Sequence, residues 1–238
     1  MFLKFPHTPH LAWLAPGQPR GDKILSPDAA AQFLNGDVVV EEKVDGTNVG
    51  FSLLDGTVVV QSRGQYVRRP AHPQFEPLWP WLTHRQAAIA GALGSDLVLF
   101  GEWCYAVHSV HYQALPDWFL GFDVYDRGVR RFWSVARRNE LLHRIGLFSV
   151  PELGRGHYDT SDLKLLFSAE ASRFGGPIEG LYLRQENNGW LDRRAKLVRA
   201  EFVQSIGEHW SKRPIEQNHV NLAGSRMDAL PPTVSYGS

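Results

Sequence analysis

The strongest constraint on the fold is a run of three valines, Val38-Val39-Val40, that leads through two glutamates to a lysine. Consecutive β-branched residues favour a strand, and the Asp45-Gly46 pair that comes soon after favours a turn. The sequence therefore predicts a strand that carries Lys43 near its end, with the amine pointing into a site. The alternative is a plain hairpin whose lysine is solvated.

Further segments of similar character follow Lys43-Val44-Asp45-Gly46-Thr47-Asn48 along the chain. They are Ser62-Arg63-Gly64 and residues 97–103, 119–125, 179–184 and 194–199. Lys-x-Asp-Gly-x-Asn resembles the nucleophile motif of the covalent nucleotidyltransferases, the superfamily of polynucleotide ligases and RNA capping enzymes. The later segments resemble the downstream motifs of that superfamily. One short motif is a weak hypothesis, but recurrence of the whole series in order is a stronger one.

Within the superfamily, the resemblance is closer to ATP-dependent RNA ligases of the nick-sealing type than to DNA ligases. Residues 4–11 and 21–25 look like the N-terminal approach of RNA ligase domains. One position departs from the pattern. Many relatives carry Lys-x-Lys in the last motif, whereas here Val198 stands two residues after Lys196, and the next cation is Arg199. The resemblance therefore implies a role for Lys196 and makes Arg199 a further candidate for nucleotide binding.

The resemblance also implies the catalytic residues. Lys43 would take AMP from ATP, Lys196 would offset phosphate charge, and Glu179 would help to hold Mg²⁺, or Mn²⁺ in its place. An aminium ion has no lone pair, so Lys43 must lose its proton before it attacks, although an ordinary lysine has a pKa of about 10.4. Because burial and a nearby cation lower a lysine pKa, we expect a lowered pKa at Lys43. We also expect Glu179 to hold the metal or its water rather than form a direct salt bridge with Lys43.

Besides Lys196 and Arg199, five residues are implied to bind the nucleotide. Phe122 would stack on adenine, and Glu102 would accept a hydrogen bond from a ribose hydroxyl. Asn48 and Arg63 would contact the sugar or the phosphates, while Glu42 would meet the adenine edge. For Phe122 the alternative is a core aromatic on a buried strand. Glu102 stands in an otherwise apolar strand, where a carboxylate without a partner is costly to bury.

Composition limits the classes of protein that the chain can represent. Of its 238 residues 43% are apolar, which is enough for a sizeable core. Basic and acidic residues number 25 each, so phosphate binding must come from local clusters of positive charge. Three basic pairs could contact a polynucleotide backbone or form solvated surface, namely Arg68-Arg69, Arg137-Arg138 and Lys212-Arg213. The single cysteine, Cys104, fits a reducing compartment. We expect a cytoplasmic protein without membrane segments.

Periodicity and turn signals predict an α+β domain of antiparallel sheets flanked by helices, as the resemblance also implies. One helix is expected over residues 79–93. Three others are expected to begin after the Ser26 cap, after Ser134 and after Thr160-Ser161. Residues 37–62 are expected to form an antiparallel meander that holds Lys43 and Arg63. A hairpin across Asn187-Asn188-Gly189 would bring Glu179 and Lys196 together.

The expected nucleotidyltransferase domain spans residues 1–229, and residues 230–238 are expected to be a disordered tail. Too few residues follow Lys196 for the separate OB domain that many ligases append. A protein partner could replace that domain, and residues 209–213 are a candidate substitute contact.

The function expected from the resemblance is an ATP- and Mg²⁺-dependent RNA ligase. It would join a 5′-phosphate to a 3′-hydroxyl of RNA through a covalent adenylate on Lys43. Two alternatives within enzymes are a DNA ligase and a GTP-dependent capping-type guanylyltransferase. An alternative of another class is an inactive module that binds nucleotides or RNA ends. The sequence does not distinguish nicked, single-stranded and tRNA-derived ends.

Overall fold

Two antiparallel sheets form the centre of the computed structural model, which describes residues 2–17, 23–169, 171–204 and 214–221. The strands in chain order are β1 Val38–Lys43, β2 Thr47–Leu54, β3 Thr57–Ser62, β4 Leu97–Trp103, β5 Phe119–Asp126, β6 Arg131–Phe132, β7 Phe148–Ser149, β8 Glu152–Gly156, β9 Gly180–Asn187 and β10 Trp190–Val198. The helices are α1 Pro27–Leu34, α2 Leu78–Thr83, α3 Gln86–Leu93, α4 Val135–Arg144, α5 Thr160–Ala169 and α6 Ala200–Gln204. The predicted α+β class with antiparallel sheets is confirmed.

The first sheet carries the predicted nucleophile strand in the order β10-β9-β1-β8. Its valines are buried, because β1 has a partner strand on each edge and a hydrophobic layer against it. That layer includes Phe33 of α1 and both Leu163 and Phe167 of α5. The register of β1 and β9 places Lys43 opposite Gly180. The backbone of the lysine therefore lies beside the residue that follows Glu179.

The second sheet has the strand order β3-β2-β4-β5-β6, with β7 parallel to β5. The Asp55-Gly56 turn between β2 and β3 has positive φ angles of 50° and 75°, the geometry that this pair favours in a two-residue hairpin. An aromatic-rich core that includes Phe51, Trp81 and Phe119 packs against the sheet. This core is separate from the one beneath the first sheet.

The expected meander over residues 37–62 is wrong. β1 pairs with β8 and β9, whereas β2 pairs with β3 and β4. A hairpin partner covers only one edge of a strand, and the fully buried residues 38–40 favour the centre of a sheet. The Val44-Asp45-Gly46 segment therefore carries the chain from one sheet to the other, and a cleft lies between them.

Most of the expected helices are present. Ser26 caps α1 by accepting a hydrogen bond from the Ala29 amide at 3.2 Å, and Ser134 caps α4. The single helix expected over residues 79–93 is instead two, α2 and α3, separated at His84 and Arg85. The Arg85 guanidinium there donates to Asp117 at 2.8 Å. Strands β7 and β8 were not expected.

The predicted hairpin at residues 187–189 is confirmed, because β9 and β10 pair around Asn188 and Gly189, which both have positive φ. The described ranges contain no separate OB domain. They also contain no helix long and apolar enough to cross a membrane. The expected tail at residues 230–238 and the candidate contact at 209–213 both lie outside the described residues.

Candidate active site

A cleft between the two sheets brings most of the predicted site residues together. Its lining consists of Phe5, Pro6, Thr8, Glu41, Glu42, Lys43, Val44, Asn48, Arg63, Glu102, Phe122, Val150, Tyr182 and Lys196. A larger groove of about 960 Å³ opens beside Asp117 and Trp118. That groove has neither Lys43 nor the carboxylates around it, so the smaller cleft is the candidate active site.

Lys43 ends β1, and its amine donates a hydrogen bond to Oε2 of Glu179 at 2.5 Å. The expectation that these residues form no direct salt bridge is therefore wrong. The cause is the strand register, because Lys43 lies opposite Gly180 and Glu179 directly precedes β9. The Lys43 side chain keeps 29% of its surface exposed, so the amine remains within reach of a molecule in the cleft.

The pKa of Lys43 differs from the expectation as well. Burial alone would lower the pKa of this amine, but the carboxylates of Glu179, Glu102 and Asp45 outweigh burial and raise the pKa above its usual value. Solvent at the exposed part of the side chain moderates this rise. Lys43 is therefore a protonated partner of acidic residues, and the expected lowered pKa is wrong.

The two glutamates beside Lys43 hold protons more tightly than ordinary carboxyl groups. Burial raises the pKa of Glu102 to about 8, against the opposing effect of Lys43. Burial also raises the pKa of Glu179 to about 7, against the opposing effects of Lys43 and Lys196. Near neutral pH each group is therefore able to accept or release a proton.

Several buried polar atoms at the cleft lack a partner within the described residues. Oδ1 of Asn48 makes no hydrogen bond there, and Asn48 lies directly opposite Glu102 in the pairing of β2 with β4. Neither carboxylate oxygen of Glu42 has a partner at standard geometry. Burial raises the pKa of Glu42, although the nearby Ser172 hydroxyl and Arg173 amide oppose this rise. Buried acceptors without partners are costly, and a ligand that donates hydrogen bonds would satisfy them.

The opposite wall of the cleft carries the ring predicted to bind a base. Phe122 lies on β5, half-buried, with its ring centroid 5.3 Å from that of Phe5 and 6.5 Å from that of Tyr182. Arg63 follows β3 at the rim, and its Nη2 lies 3.0 Å from Nδ1 of His7. An aromatic ring and a cation thus face the cleft from the second sheet.

The two cations predicted near the end of β10 have different positions. Lys196 lines the cleft and lies close enough to Glu179 to lower the pKa of that carboxyl group. Arg199 lies outside the lining, and its Nε donates to Glu201 at 2.7 Å while its Nη1 donates to the Phe167 carbonyl at 3.2 Å. The structure therefore brings Lys196 to the site but not the guanidinium of Arg199.

A buried charge network behind the cleft was not predicted from the sequence. Its members are Glu41, Asp123, Tyr182, Arg138, Arg184, Glu186 and Arg194. Arg138 and Arg184 both donate to the carbonyl of Phe122, at 2.7 and 3.3 Å. Arg138 is thus neither a solvated cation nor a polynucleotide contact. The available signal was the presence of Glu41 and Arg184 inside apolar strand segments, since buried charges need partners.

Metal ligands are sparse around this cleft. Across the described ranges, no group of three or more histidine, cysteine, aspartate or glutamate side chains is placed to hold a metal ion. Glu179, the predicted metal ligand, is hydrogen-bonded to Lys43.

The paired antiparallel sheets with a lysine in the cleft between them form the nucleotidyltransferase-type fold of RNA ligases. The chain belongs to the RNA ligase family, whose family model matches residues 36–198. The predicted family is therefore confirmed. No curated protein matches the chain at a significant level.

Solved structures of Naegleria gruberi RNA ligase are similar to this chain. The ligase with PPi has a TM-score of 0.57 and 17% identity, over 85% of this chain and 64% of that one. A glutamate-to-alanine mutant with ATP and Mn has a TM-score of 0.55 and 16% identity, over 75% of this chain and 54% of that one. A lysine-to-methionine mutant with AMP and Mn has a TM-score of 0.56 and 16% identity, over 85% and 63%. This chain thus spans between about half and two thirds of the length of those enzymes.

Proposed function

We propose that this protein is an ATP-dependent RNA ligase that seals 5′-phosphate and 3′-hydroxyl ends through a covalent adenylate on Lys43. The observation that carries the proposal is the amine of Lys43, partly exposed in the cleft and 2.5 Å from Glu179. Lys196 and Arg63 line the same cleft and supply cations for phosphate groups. The similar N. gruberi ligase structures contain ATP, AMP and Mn, which supports the choice of nucleotide.

Lys43 attacks the α-phosphorus of ATP in the first step. The aminium must first release one proton to solvent, which requires its pairing with Oε2 of Glu179 to weaken. The freed lone pair forms the nitrogen–phosphorus bond as the bond to pyrophosphate breaks, and the nitrogen releases its second proton to solvent. Lys196 and Arg63 offset the charge that collects on the phosphate oxygens.

The nucleoside binds deeper in the cleft. Phe122 stacks on adenine, and Glu102 accepts from a ribose hydroxyl. Asn48 and Glu42 gain donors for buried oxygens that have no partner at standard geometry among the described residues. The cleft has a volume of about 170 Å³, whereas pockets that bury whole ligands have roughly 300–1,000 Å³. A nucleotide therefore extends beyond the cleft.

Glu179, the residue we propose to hold a divalent cation, fits Mg²⁺ or Mn²⁺ as a single carboxylate beside the phosphate position. Mg²⁺ commonly takes only one or two protein carboxylates and completes its shell with water and substrate phosphates. When bound, the cation neutralises phosphate charge. It would also weaken the pairing of Glu179 with Lys43, and thereby lower the pKa of the amine.

RNA enters in the later steps. AMP passes from Lys43 to the 5′-phosphate of the RNA, and the 3′-hydroxyl then displaces AMP to form the phosphodiester. We propose that this series of reactions serves RNA repair in the cytoplasm.

The test is incubation of the purified protein with α-labelled ATP or GTP, followed by denaturing electrophoresis and mass spectrometry. ATP should label the protein, and the mass increment of one AMP should map to the peptide that contains Lys43. Lys43→Ala should abolish the label, whereas Lys164→Ala, which removes an exposed lysine of α5, should keep it. A label from GTP only would indicate capping chemistry, and no label from either would indicate a binding module. Comparison of nicked RNA with nicked DNA then tests the polymer.

A further inference from the structure

Residues 214–221 lie against the loop between β4 and β5. The Asn218 side chain joins the two segments through hydrogen bonds. Asn218 is fully buried. Its Oδ1 accepts from the Tyr112 amide at 2.7 Å, and its Nδ2 donates to the carbonyls of Cys104 at 2.9 Å and Ala106 at 3.3 Å. A single side chain thus joins both ends of the segment 104–112.

The same loop holds Asp45 by its backbone and its side chain. The hydroxyl of the fully buried Tyr112 accepts from the Asp45 amide at 2.8 Å. Oδ2 of Asp45 accepts from the amides of Ser109 at 2.6 Å and Val110 at 2.9 Å. Asp45 has little freedom to move unless this loop moves with it.

Asp45 in turn is linked to Lys43 through the backbone. It lies two residues after the lysine, within the segment that passes from the first sheet to the second. The position of Asp45 therefore affects the placement of Lys43.

We propose that Tyr112 and Asn218 are positioning residues that connect the segment 214–221 to Lys43 through Asp45. The inference rests on the proposed function, because the reaction it affects is formation of the lysyl adenylate. Packing alone does not account for these residues. An apolar side chain would fill either position without the desolvation cost of a buried amide or hydroxyl, whereas the polar groups here are used in directed hydrogen bonds.

Tyr112→Phe tests the link with the smallest change, because it removes only the oxygen that accepts from Asp45. We expect the maximal single-turnover rate of adenylate formation to fall by about tenfold or more. The half-saturating ATP concentration should change by less than about threefold, since Tyr112 does not line the cleft. A purely structural loss of folded protein would not separate the maximal rate from the half-saturating concentration in this way.

Tyr105→Phe is the matched control, because it removes a hydroxyl from the same loop and Tyr105 packs edge-on against Trp118 at 5.1 Å. Its rate should match that of the wild type. A wild-type maximal rate in Tyr112→Phe would overturn the inference while leaving the proposed function intact. Absence of any adenylate in the wild type would instead refute the proposed function.

Asn218→Ala and the double variant with Tyr112→Phe provide a second measurement. Both single changes act on one loop, so the effects on the rate should be clearly less than multiplicative in the double variant. Thermal denaturation of each variant identifies any that fails to fold. If Asn218→Ala does not fold, the rate of Tyr112→Phe alone tests the inference. Multiplicative effects would contradict a shared route through Asp45.

Discussion

Arg138 donates a hydrogen bond to Glu41 at 2.6 Å, and both side chains are completely buried. The two residues are 97 positions apart, on α4 and β1. Arg138 also donates to the carbonyl of Phe122 at 2.7 Å. One guanidinium therefore links the strand that carries Lys43 to the strand that carries the predicted base-stacking ring.

Arg138→Met should destabilise the protein by about 3–5 kcal/mol, because it leaves the Glu41 carboxylate buried without its main partner. Chemical denaturation measures this free energy of unfolding. Arg144→Met, an exposed change on the same helix, should stay within about 0.5 kcal/mol of the wild type. The double variant Glu41→Gln with Arg138→Met should recover part of the loss, and no recovery would argue against a direct pair.

Phe122→Leu should raise the half-saturating ATP concentration by about 5-fold to 150-fold, because the stacking of a base on an aromatic ring contributes roughly 1–3 kcal/mol. Titration of adenylate formation with ATP measures the change. Phe132→Leu is the control, since Phe132 packs on Tyr125 at 4.8 Å and does not line the cleft. Equal effects of the two substitutions would mean that Phe122 acts only in packing.

Glu102→Gln should stabilise the protein increasingly as the pH rises. Burial raises the pKa of Glu102 from 4.5 to about 8, so the folded state keeps a proton that the unfolded chain releases above pH 4.5. The stability due to this proton is present below pH 4.5 and is lost as the pH rises through 8. We expect a gain of about 1–3 kcal/mol for the variant at pH 9, measured by denaturation at several pH values.

The control for this pH dependence is Glu140→Gln, an exposed change on α4. The difference between this variant and the wild type should not grow with pH. A pH-independent difference for Glu102→Gln would show that the Glu102 carboxyl group does not keep its proton in the folded state.

Gly46→Ala should slow adenylate formation by about tenfold or more, because misplacement of a nucleophile by a fraction of an ångström is costly. A Cβ at Gly46 would lie 2.7 Å from the Trp103 carbonyl oxygen and 3.0 Å from Cγ of Glu102. The backbone next to Asp45 would have to shift. At Gly64 a Cβ would meet nothing within 4 Å, so Gly64→Ala should keep the wild-type rate. Single-turnover labelling compares the two.

Arg199→Ala should change the rate of adenylate formation by less than about threefold, because the guanidinium pairs with exposed Glu201 outside the cleft. Lys196→Ala should reduce the rate by about 100-fold or more, since it removes a cation that faces the phosphates. A large effect of Arg199→Ala would mean that this side chain turns into the cleft when the nucleotide binds.

Local signals in the sequence were sufficient for much of the fold. Ser26-Pro27 and Ser134 marked helix starts, and Asn188-Gly189 marked a hairpin, because caps and turns depend on neighbouring residues. The partners of β1 were not predictable in this way. Its edges are covered by β8 and β9, more than 100 residues later in the chain, and strand patterns do not specify distant pairing.

The motif series located most of the cleft, but it did not reveal the electrostatics. The pKa of Lys43 depends on how many carboxylates surround the amine, and that number follows from two sheets meeting at Glu102 and Glu179. The network behind Phe122 was missed for a similar reason. Arg138 and Arg184 belong to different elements, and their shared acceptor is a backbone carbonyl with no sequence signature.

The two walls of the cleft belong to different sheets, but buried guanidinium groups hold them together. Lys43 stands on the first sheet and Phe122 on the second, while Arg138 contacts both Glu41 of the first sheet and the Phe122 carbonyl of the second. A substitution that disturbs this guanidinium would therefore alter the width of the cleft as well as the local packing. Redesign of the Phe122 wall needs Glu41 and Arg138 to be kept.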